Sequence, residues 1–311
     1  VGFASFATLA EQEDDVTAIN NLLDHVGLFF HSLLTKGSDM TPTALFELNG
    51  KTALVTGGAT GIGRMATTAL AAAGAQVFIA SRKIDACRAT ADAINSMGFA
   101  GSVHAMQGDV ATEDGIEQLI NDLDNQTDKL HILMNNAGRT WGAPLGTFPH
   151  SAWAKVFDLN VAGMFHLTQR LTNKLAKSST PDGPARVVNV GSVMGEIPMG
   201  DGAYSYAASK AAVHQMTRIL AKELADQHIT VNALAPGPFQ SGMTKFAIGE
   251  DSGANRVGAR VPLGRVGRTE DIAACMQFLC GAGGSYITGA IIPVSGGINV
   301  MTGPSIFGEK E

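Results

Sequence analysis

Thr52-Ala53-Leu54-Val55-Thr56-Gly57-Gly58-Ala59-Thr60-Gly61-Ile62-Gly63 is a short β-rich run that passes straight into spaced glycines. A helical stretch, Gly61–Ala73, follows at once, so the segment reads as the strand, glycine turn and helix that open a βαβ unit. The same alternation continues outward along the chain. Further β-rich runs fall at Gln76–Ala80, Ser102–Gln107, His131–Asn135, Arg186–Val190, Thr230–Ala235 and Ala290–Val294. Helical stretches lie between most of them, at Asp85–Met97, Glu113–Leu123, Trp153–Lys177 and Tyr206–Asp226. Several of the strands are apolar at consecutive positions, as strands covered on both faces must be. The expected fold is α/β: one doubly wound domain with a seven-stranded parallel sheet flanked by helices.

Composition agrees with a folded domain of this size. Of 311 residues, 45% are hydrophobic and 16% charged, which supplies ample core and argues against disorder. The net charge is −6, and no lysine- or arginine-rich run marks a nucleic-acid surface. Cys87, Cys275 and Cys280 fit neither a disulfide framework nor a zinc cluster, so a reducing, cytoplasmic setting is expected. Glycine or charge breaks every apolar stretch well before the ~18 residues of a membrane span, so no membrane association is expected.

Residues 1–40 differ from the rest, with Glu11, Glu13, Asp14, Asp15, Asp24 and Asp39 against Lys36 alone. Such acidity suits neither a secretory signal nor a mitochondrial transit peptide. Ile19, Leu22, Leu23, Val26 and Phe29/Phe30 recur at helical spacing. We read 1–40 as a helical extension and 41–311 as the main domain.

The glycine turn points to a nucleotide. Glycines allow positive φ and let backbone amides approach a pyrophosphate at the helix amino end. The spacing here is Gly-x-x-x-Gly-x-Gly rather than Gly-x-Gly-x-x-Gly, and plain turn glycines are the alternative; the strand-to-helix context favours a Rossmann-type dinucleotide site. The second strand then ends in Ala80-Ser81-Arg82-Lys83, where an NAD site usually carries a carboxylate for the ribose hydroxyl. Arg82 suits a 2′-phosphate instead, so NADP(H) is the expected cofactor; a solvated surface arginine is the other reading. Asp109 either accepts from the adenine amine or caps the next helix.

Tyr206-Ala207-Ala208-Ser209-Lys210 places a phenol and an ammonium on one helical face. At ~5 Å and an effective dielectric of ~20, the ammonium favours phenolate by roughly 3 kcal/mol, about two pKa units. Tyr204 has no such partner. Upstream, Arg186–Val190 runs into Gly191-Ser192, whose hydroxyl can bond a carbonyl oxygen as charge develops on it. Asn135-Asn136-Ala137-Gly138 ends the fourth strand, and Leu159-Asn160-Val161 lies within a long helix.

With these blocks in this order, the chain from about Leu48 to Ile298 resembles the short-chain dehydrogenase/reductase family. Within it, Asn135–Ala143 and Ala208–Gln215 are similar to 3-oxoacyl-carrier-protein reductases of the rhamnolipid type. The resemblance implies a catalytic tetrad of Asn160, Ser192, Tyr206 and Lys210, with Asn160 helping to hold a water linked to Lys210. It implies that Asn136 steadies the central strands, and that Pro236, Gly237 and Ser241 border the nicotinamide. The full set of expected cofactor contacts is Gly57, Thr60, Gly61, Ile62, Gly63, Ser81, Arg82, Asp109, Val110, Asn136, Ala137, Gly138, Tyr206, Lys210, Pro236, Gly237 and Ser241. No metal is expected. A homo-oligomer, tetramer or dimer, is implied through the two long helices.

The expected activity is reduction of a ketone or acyl thioester by NADPH, with Tyr206 as proton donor. One departure bears on the substrate: Ala225-Asp226-Gln227-His228 lacks the basic residues that would meet an acidic carrier protein, and Arg170, Lys174 and Lys177 are left to compensate or to be plain surface charge. Trp141, Met194, Ile197, Met199, Phe239 and Phe246 are placed around an apolar pocket or in ordinary packing. Phe239–Val261 is read as a lid. The rivals are a sugar or secondary-alcohol dehydrogenase and a non-catalytic NADP(H) sensor.

Overall fold

Strands with apolar side chains on both faces need cover on both faces, and the sheet is built accordingly. The computed structural model describes residues 41, 43–199, 202–240 and 251–301. Two compact units divide between Leu45 and Phe46, and the second, Phe46–Glu311, carries the sheet and its helices. The expected helix in residues 1–40 lies outside the described residues.

Seven strands form one parallel sheet: β1 (Thr52–Thr56), β2 (Gln76–Ser81), β3 (Ser102–Gln107), β4 (Ile132–Asn135), β5 (Ala185–Val190), β6 (Ile229–Pro236) and β7 (Ile291–Val294). Their order is β3-β2-β1-β4-β5-β6-β7. Every adjacent pair is parallel. The direction in which the strands are added reverses between β1 and β4, which opens a crevice beyond their carboxyl ends. The fold class is the one expected, and the strands fall within one residue of the expected bounds.

The helices are α1 (Gly61–Ala72), α2 (Ile84–Asn95), α3 (Glu113–Asp124), α4 (Ser151–Phe157), α5 (Met164–Lys177), α6 (Tyr204–Glu223), α7 (Asp251–Gly258) and α8 (Thr269–Cys280). Alternate strand residues feed two cores. Ala53, Val55, Val77 and Ile79 pack with Leu70, Ile94, Met276 and Leu279 on one face. Leu54, Phe78, Leu133 and Val187 pack with Leu119, Leu167, Leu171 and Leu220 on the other. Burying a side chain of this size contributes roughly 1.5–3 kcal/mol, so the two cores are the main source of stability.

Two features depart from the expected helices. The long helix predicted over Trp153–Lys177 is interrupted by a π turn, Asp158–Gly163, between α4 and α5. Gly163 explains its position: a Cβ there would lie 1.8 Å from the Val110 carbonyl, so the wide turn seats the backbone against the loop after β3. Helix α8 was not among the expected stretches. Its signal was present in Glu270 and Asp271 in the first turn, and Asp271 accepts the Arg268 N–H at 2.7 Å.

One polar ladder crosses the second core. Asn135 on β4 and Asn189 on β5 are register partners. Asn135 Nδ2 donates to Asn189 Oδ1 and to Thr168 Oγ1 on α5, each at 2.9 Å, and Asn189 Nδ2 donates to Thr217 Oγ1 on α6 at 3.0 Å. All four residues are buried, so each bond is made where an unpaired group is costly. Asn189→Ala leaves an Asn135 hydrogen and the Thr217 oxygen short of a partner. It is expected to lower stability by about 2–4 kcal/mol, read by urea unfolding, and a loss below ~1 kcal/mol would show that the ladder adds little.

Candidate active site

The carboxyl ends of β1, β2, β4, β5 and β6 open on one side of the sheet and enclose a cavity of about 410 Å³. At its floor, Gly57 adopts φ +66° and α1 begins at Gly61. A Cβ on Gly63 would come 2.2 Å from the Gly57 carbonyl and 2.5 Å from Asn136 Nδ2, so the turn closes only around glycine. The first turn of α1 has neither a side-chain cap from Thr60 nor an acidic residue. Its free amides therefore present unopposed positive potential to the cavity.

Most of the expected cofactor positions come together here. Gly57, Thr60, Gly61, Ile62, Ser81, Arg82, Asp109, Val110, Asn136, Ala137, Gly138, Tyr206, Lys210, Pro236 and Gly237 all line the cavity, as does Ser192. Gly63 and Asn160 stand behind the lining, and Ser241 lies outside the described residues. Sequence reasoning passed over Lys83, which lines the same end as Arg82 and whose only signal was its place in Ala80-Ser81-Arg82-Lys83. The lining carries three cations, Arg82, Lys83 and Lys210, against one carboxylate, Asp109. That balance suits a ligand with several negative charges.

Asp109 does not cap α3. Thr112 does so, accepting the Gly115 N–H at 3.2 Å, while Asp109 Oδ1 accepts the Ala111 N–H at 3.1 Å. Asn136 ties β4 to β1: its Nδ2 donates to the Thr56 carbonyl at 2.9 Å, and the Asn136 and Ala137 amides donate to Thr56 Oγ1 at 3.0 Å.

Tyr206 and Lys210 lie one turn apart on α6 and reach the same cavity as Ser192. The Lys210 Nζ stands 5.6 Å from the centre of the Tyr206 ring and donates to the Val190 carbonyl at 2.6 Å. Ser192 Oγ accepts the Met194 N–H at 3.2 Å, and its hydroxyl also meets the Tyr206 phenol. Behind them, Asn160 is buried in the π turn. Its Oδ1 accepts the Arg139 N–H at 2.9 Å, and its Nδ2 donates to the Arg139 carbonyl and to Ser209 Oγ, each at 3.0 Å. Ser209 Oγ in turn donates to the Tyr206 carbonyl at 2.7 Å. Asn160 thus clasps the loop after β4 to the first turn of α6.

The electrostatic expectation for the phenol is overturned. Burial pushes Tyr206 above its ordinary value, and a hydrogen-bonding contact with Ser192 pulls it only partly back. Lys210 is itself penalised, since burial brings it down to about 8. The Coulomb estimate counted attraction between two charges and left out the cost of taking both from water. The phenol is consequently held in its protonated form.

The residues expected to ring a substrate pocket are divided. Phe239 is buried, lines the cavity and packs on Gly267. Trp141 and Met199 are exposed and lie outside its lining, as do Met194 and Ile197. Residues 241–250 of the expected lid, Phe246 among them, fall outside the described residues; Asp251–Gly258 towards its far end is helical. Tyr204 stacks edge-on against Phe148, ring centres 5.3 Å apart. Of the basic residues offered as compensation, Arg170 pairs with Glu117 and Lys174 with Asp124. Among the described residues, no helix is long and apolar enough to cross a membrane.

Comparison with known proteins places this geometry. The family described as enoyl-(acyl carrier protein) reductase matches residues 57–299. The chain is 44% identical over 255 residues to the rhamnolipids biosynthesis 3-oxoacyl-[acyl-carrier-protein] reductase of Pseudomonas aeruginosa, covering 82% of this chain and 98% of the relative. Among solved structures, it is similar to the RhlG/NADP active-site complex of Pseudomonas aeruginosa, with 43% identity, TM-score 0.78, and coverage of 82% of this chain and 99% of that one. A gluconate 5-dehydrogenase of Burkholderia cenocepacia, solved with NADP and tartrate, matches at 27% identity and TM-score 0.76, covering 84% of this chain and all of its own (100%). A family match from Gly57 to Asn299, together with 44% identity to a relative covered over almost its whole length, means that the chain belongs to the short-chain dehydrogenase/reductase family of oxidoreductases.

Proposed function

We propose that this protein is an NADPH-dependent carbonyl reductase acting on an apolar ketone of the 3-oxoacyl class. The observation that carries the proposal is a single cavity with Ser192, Tyr206 and Lys210 at one end and Arg82 and Lys83 at the other. The similarity to a 3-oxoacyl reductase and to an NADP complex supports the same reading.

The residues fit the cofactor. The uncapped first turn of α1 would hold the pyrophosphate, Arg82 and Lys83 the 2′-phosphate, and Pro236 and Gly237 would border the nicotinamide, with Ser241 following in sequence. When bound, the nicotinamide supplies the hydride. The chain's own groups do the rest. Tyr206, kept protonated by burial, gives its hydroxyl proton to the carbonyl oxygen as negative charge builds there. Ser192 Oγ, its lone pair engaged by the Met194 amide, donates its hydrogen to the same oxygen. Lys210 remains an ammonium at pH 7 because its pKa stays near 8, and it stabilises the phenolate left behind. Asn160 bonds the Arg139 loop and Ser209 through its side chain, so we assign it to positioning rather than to substrate contact, alongside the water link to Lys210 that the resemblance implied.

A sugar dehydrogenase is the second reading, favoured by the similarity to gluconate 5-dehydrogenase. Purified protein with NADPH, tested against 3-oxoacyl thioesters and keto-sugars, separates the two. A non-catalytic sensor has no use for a lysine ammonium buried beside a tyrosine. Because Arg170 and Lys174 are already paired, the acyl chain rather than a carrier protein is proposed as the recognised part. A homo-oligomer of two or four chains belongs to the same reading; Ile219, exposed on α6, supports a contact there, and light scattering reads it.

Tyr206→Phe is expected to lower turnover by about 10²–10⁴-fold while NADPH still binds; wild-type turnover would refute the proton-donor role. Arg82→Asp is expected to weaken NADPH binding about a hundredfold relative to NADH, and an unchanged preference would make Arg82 incidental. Lys210→Met tests the cost of the buried charge. The folded pKa of about 8 lies below the ordinary 10.5, so the unfolded chain binds more protons between these values and wild-type stability rises with pH there. The Met variant should therefore be more resistant to urea than cofactor-free wild type at pH 7, with the difference shrinking from pH 8 to 10.5. A variant weaker than wild type at pH 7 would contradict this.

A further inference from the structure

Helix α6 carries a third polar residue on the face that presents the tyrosine and lysine. Tyr206, Lys210 and His214 succeed one another four residues apart, so they form one stripe along the helix. His214 is buried, at 3% exposure, and its ring lies against the end of β5. A Cβ on Gly191 would sit 2.2 Å from Nε2, so glycine there is what lets the imidazole reach the backbone.

The two ring nitrogens face different partners. Nε2 stands 3.4 Å from the Ser192 amide nitrogen. Nδ1 stands 3.5 Å from Glu196 Oε1, too far and poorly aligned for a hydrogen bond, and is left without a hydrogen-bond partner. An amide N–H can only donate, so Nε2 must accept, and the one hydrogen of a neutral imidazole then sits on Nδ1, facing the carboxylate. Burial, reinforced by Arg218 and Lys210, brings the ring down to about 4, which keeps it neutral at ordinary pH. Ser192 and Glu196 flank the short 3₁₀ turn Val193–Gly195, and Ser192 Oγ accepts from Met194 inside that turn. The segment is thus held to α6 at Val190 by Lys210 and at Ser192 by His214.

We propose that His214 is a positioning residue: by accepting the Ser192 N–H it fixes where Ser192 aims its hydroxyl, so that an imidazole–backbone contact sets the oxyanion donor of the reaction. This rests on the role proposed above for Ser192. His214 does not itself line the cavity but packs against Gly191 and Ser192, which do, so its effect passes through the backbone of residue 192.

The test is a double-mutant cycle with NADPH and a 3-oxoacyl thioester, with NADPH binding followed separately by fluorescence. His214→Phe fills the space but cannot accept, and is expected to lower kcat roughly tenfold with NADPH affinity unchanged. In a Ser192→Ala background the same change should cost less than about twofold, because the hydroxyl it positions is gone. His214→Gln offers an oxygen in place of Nε2 and should restore most of the turnover. ¹⁵N NMR of the wild-type imidazole should show the Nδ1–H tautomer.

Equal costs in the two backgrounds, or an Nε2–H tautomer, would overturn the role of His214 while leaving that of Ser192 intact. Wild-type turnover in Ser192→Ala alone would instead overturn the Ser192 reading, and His214's role with it. If His214→Phe does not fold, the His214→Gln turnover in the two backgrounds and the tautomer decide.

Discussion

Lys210 drives an ammonium into the interior and gives it the carbonyl of Val190, at 2.6 Å, as its hydrogen-bond acceptor. Burial of that charge is unfavourable enough to bring the pKa down to about 8, so the contact must be held in place by something stronger than itself. The packing of α6 along the carboxyl end of β5 holds it. Gly195 lies so close to Lys210 that a Cβ would fall 2.8 Å from its backbone, and Gly191 admits the His214 ring on the next turn. The geometry of Tyr206 and Ser192 derives from this one seam between helix and strand end.

Stability and chemistry are joined through the same elements. The ladder from Thr168 through Asn135 and Asn189 to Thr217 fastens α5 and α6 to the two central strands. Those strands lead directly into Asn136 and Ser192, at the cavity. On the opposite side of the crevice, Asn136 joins β4 to the Thr56–Gly57 turn that begins the glycine-rich loop. A site built from five strand ends stays in register only if the strands do, and buried amide bonds specify register more sharply than apolar contacts can.

Much of the molecule was legible in the linear chain because its signals are local. Consecutive apolar residues in Leu54-Val55 and Val187-Val188 announce strands covered on both faces, and the glycine turn announces where the first helix starts. Arg82 in place of a carboxylate is likewise a chemical statement that needs no coordinates. The π turn was not legible. A helix of period 3.6 and one with a single wide turn carry nearly the same pattern, and the choice is made by Gly163 against Val110, residues far apart in sequence. The same holds for Asn160, whose side chain spends its bonds on Arg139 and Ser209.

The amino-acid order by itself determined the alternation of strands and helices, the parallel sheet, the anion-seeking turn and the pairing of phenol with ammonium on one helical face. These depend on spacing, chirality and the chemistry of single side chains. Only the tertiary structure decided the sign of the phenol's shift and which groups stand behind the reacting ones. Both depend on how much water is excluded, and exclusion is a property of the assembled layers, not of neighbouring residues in the chain.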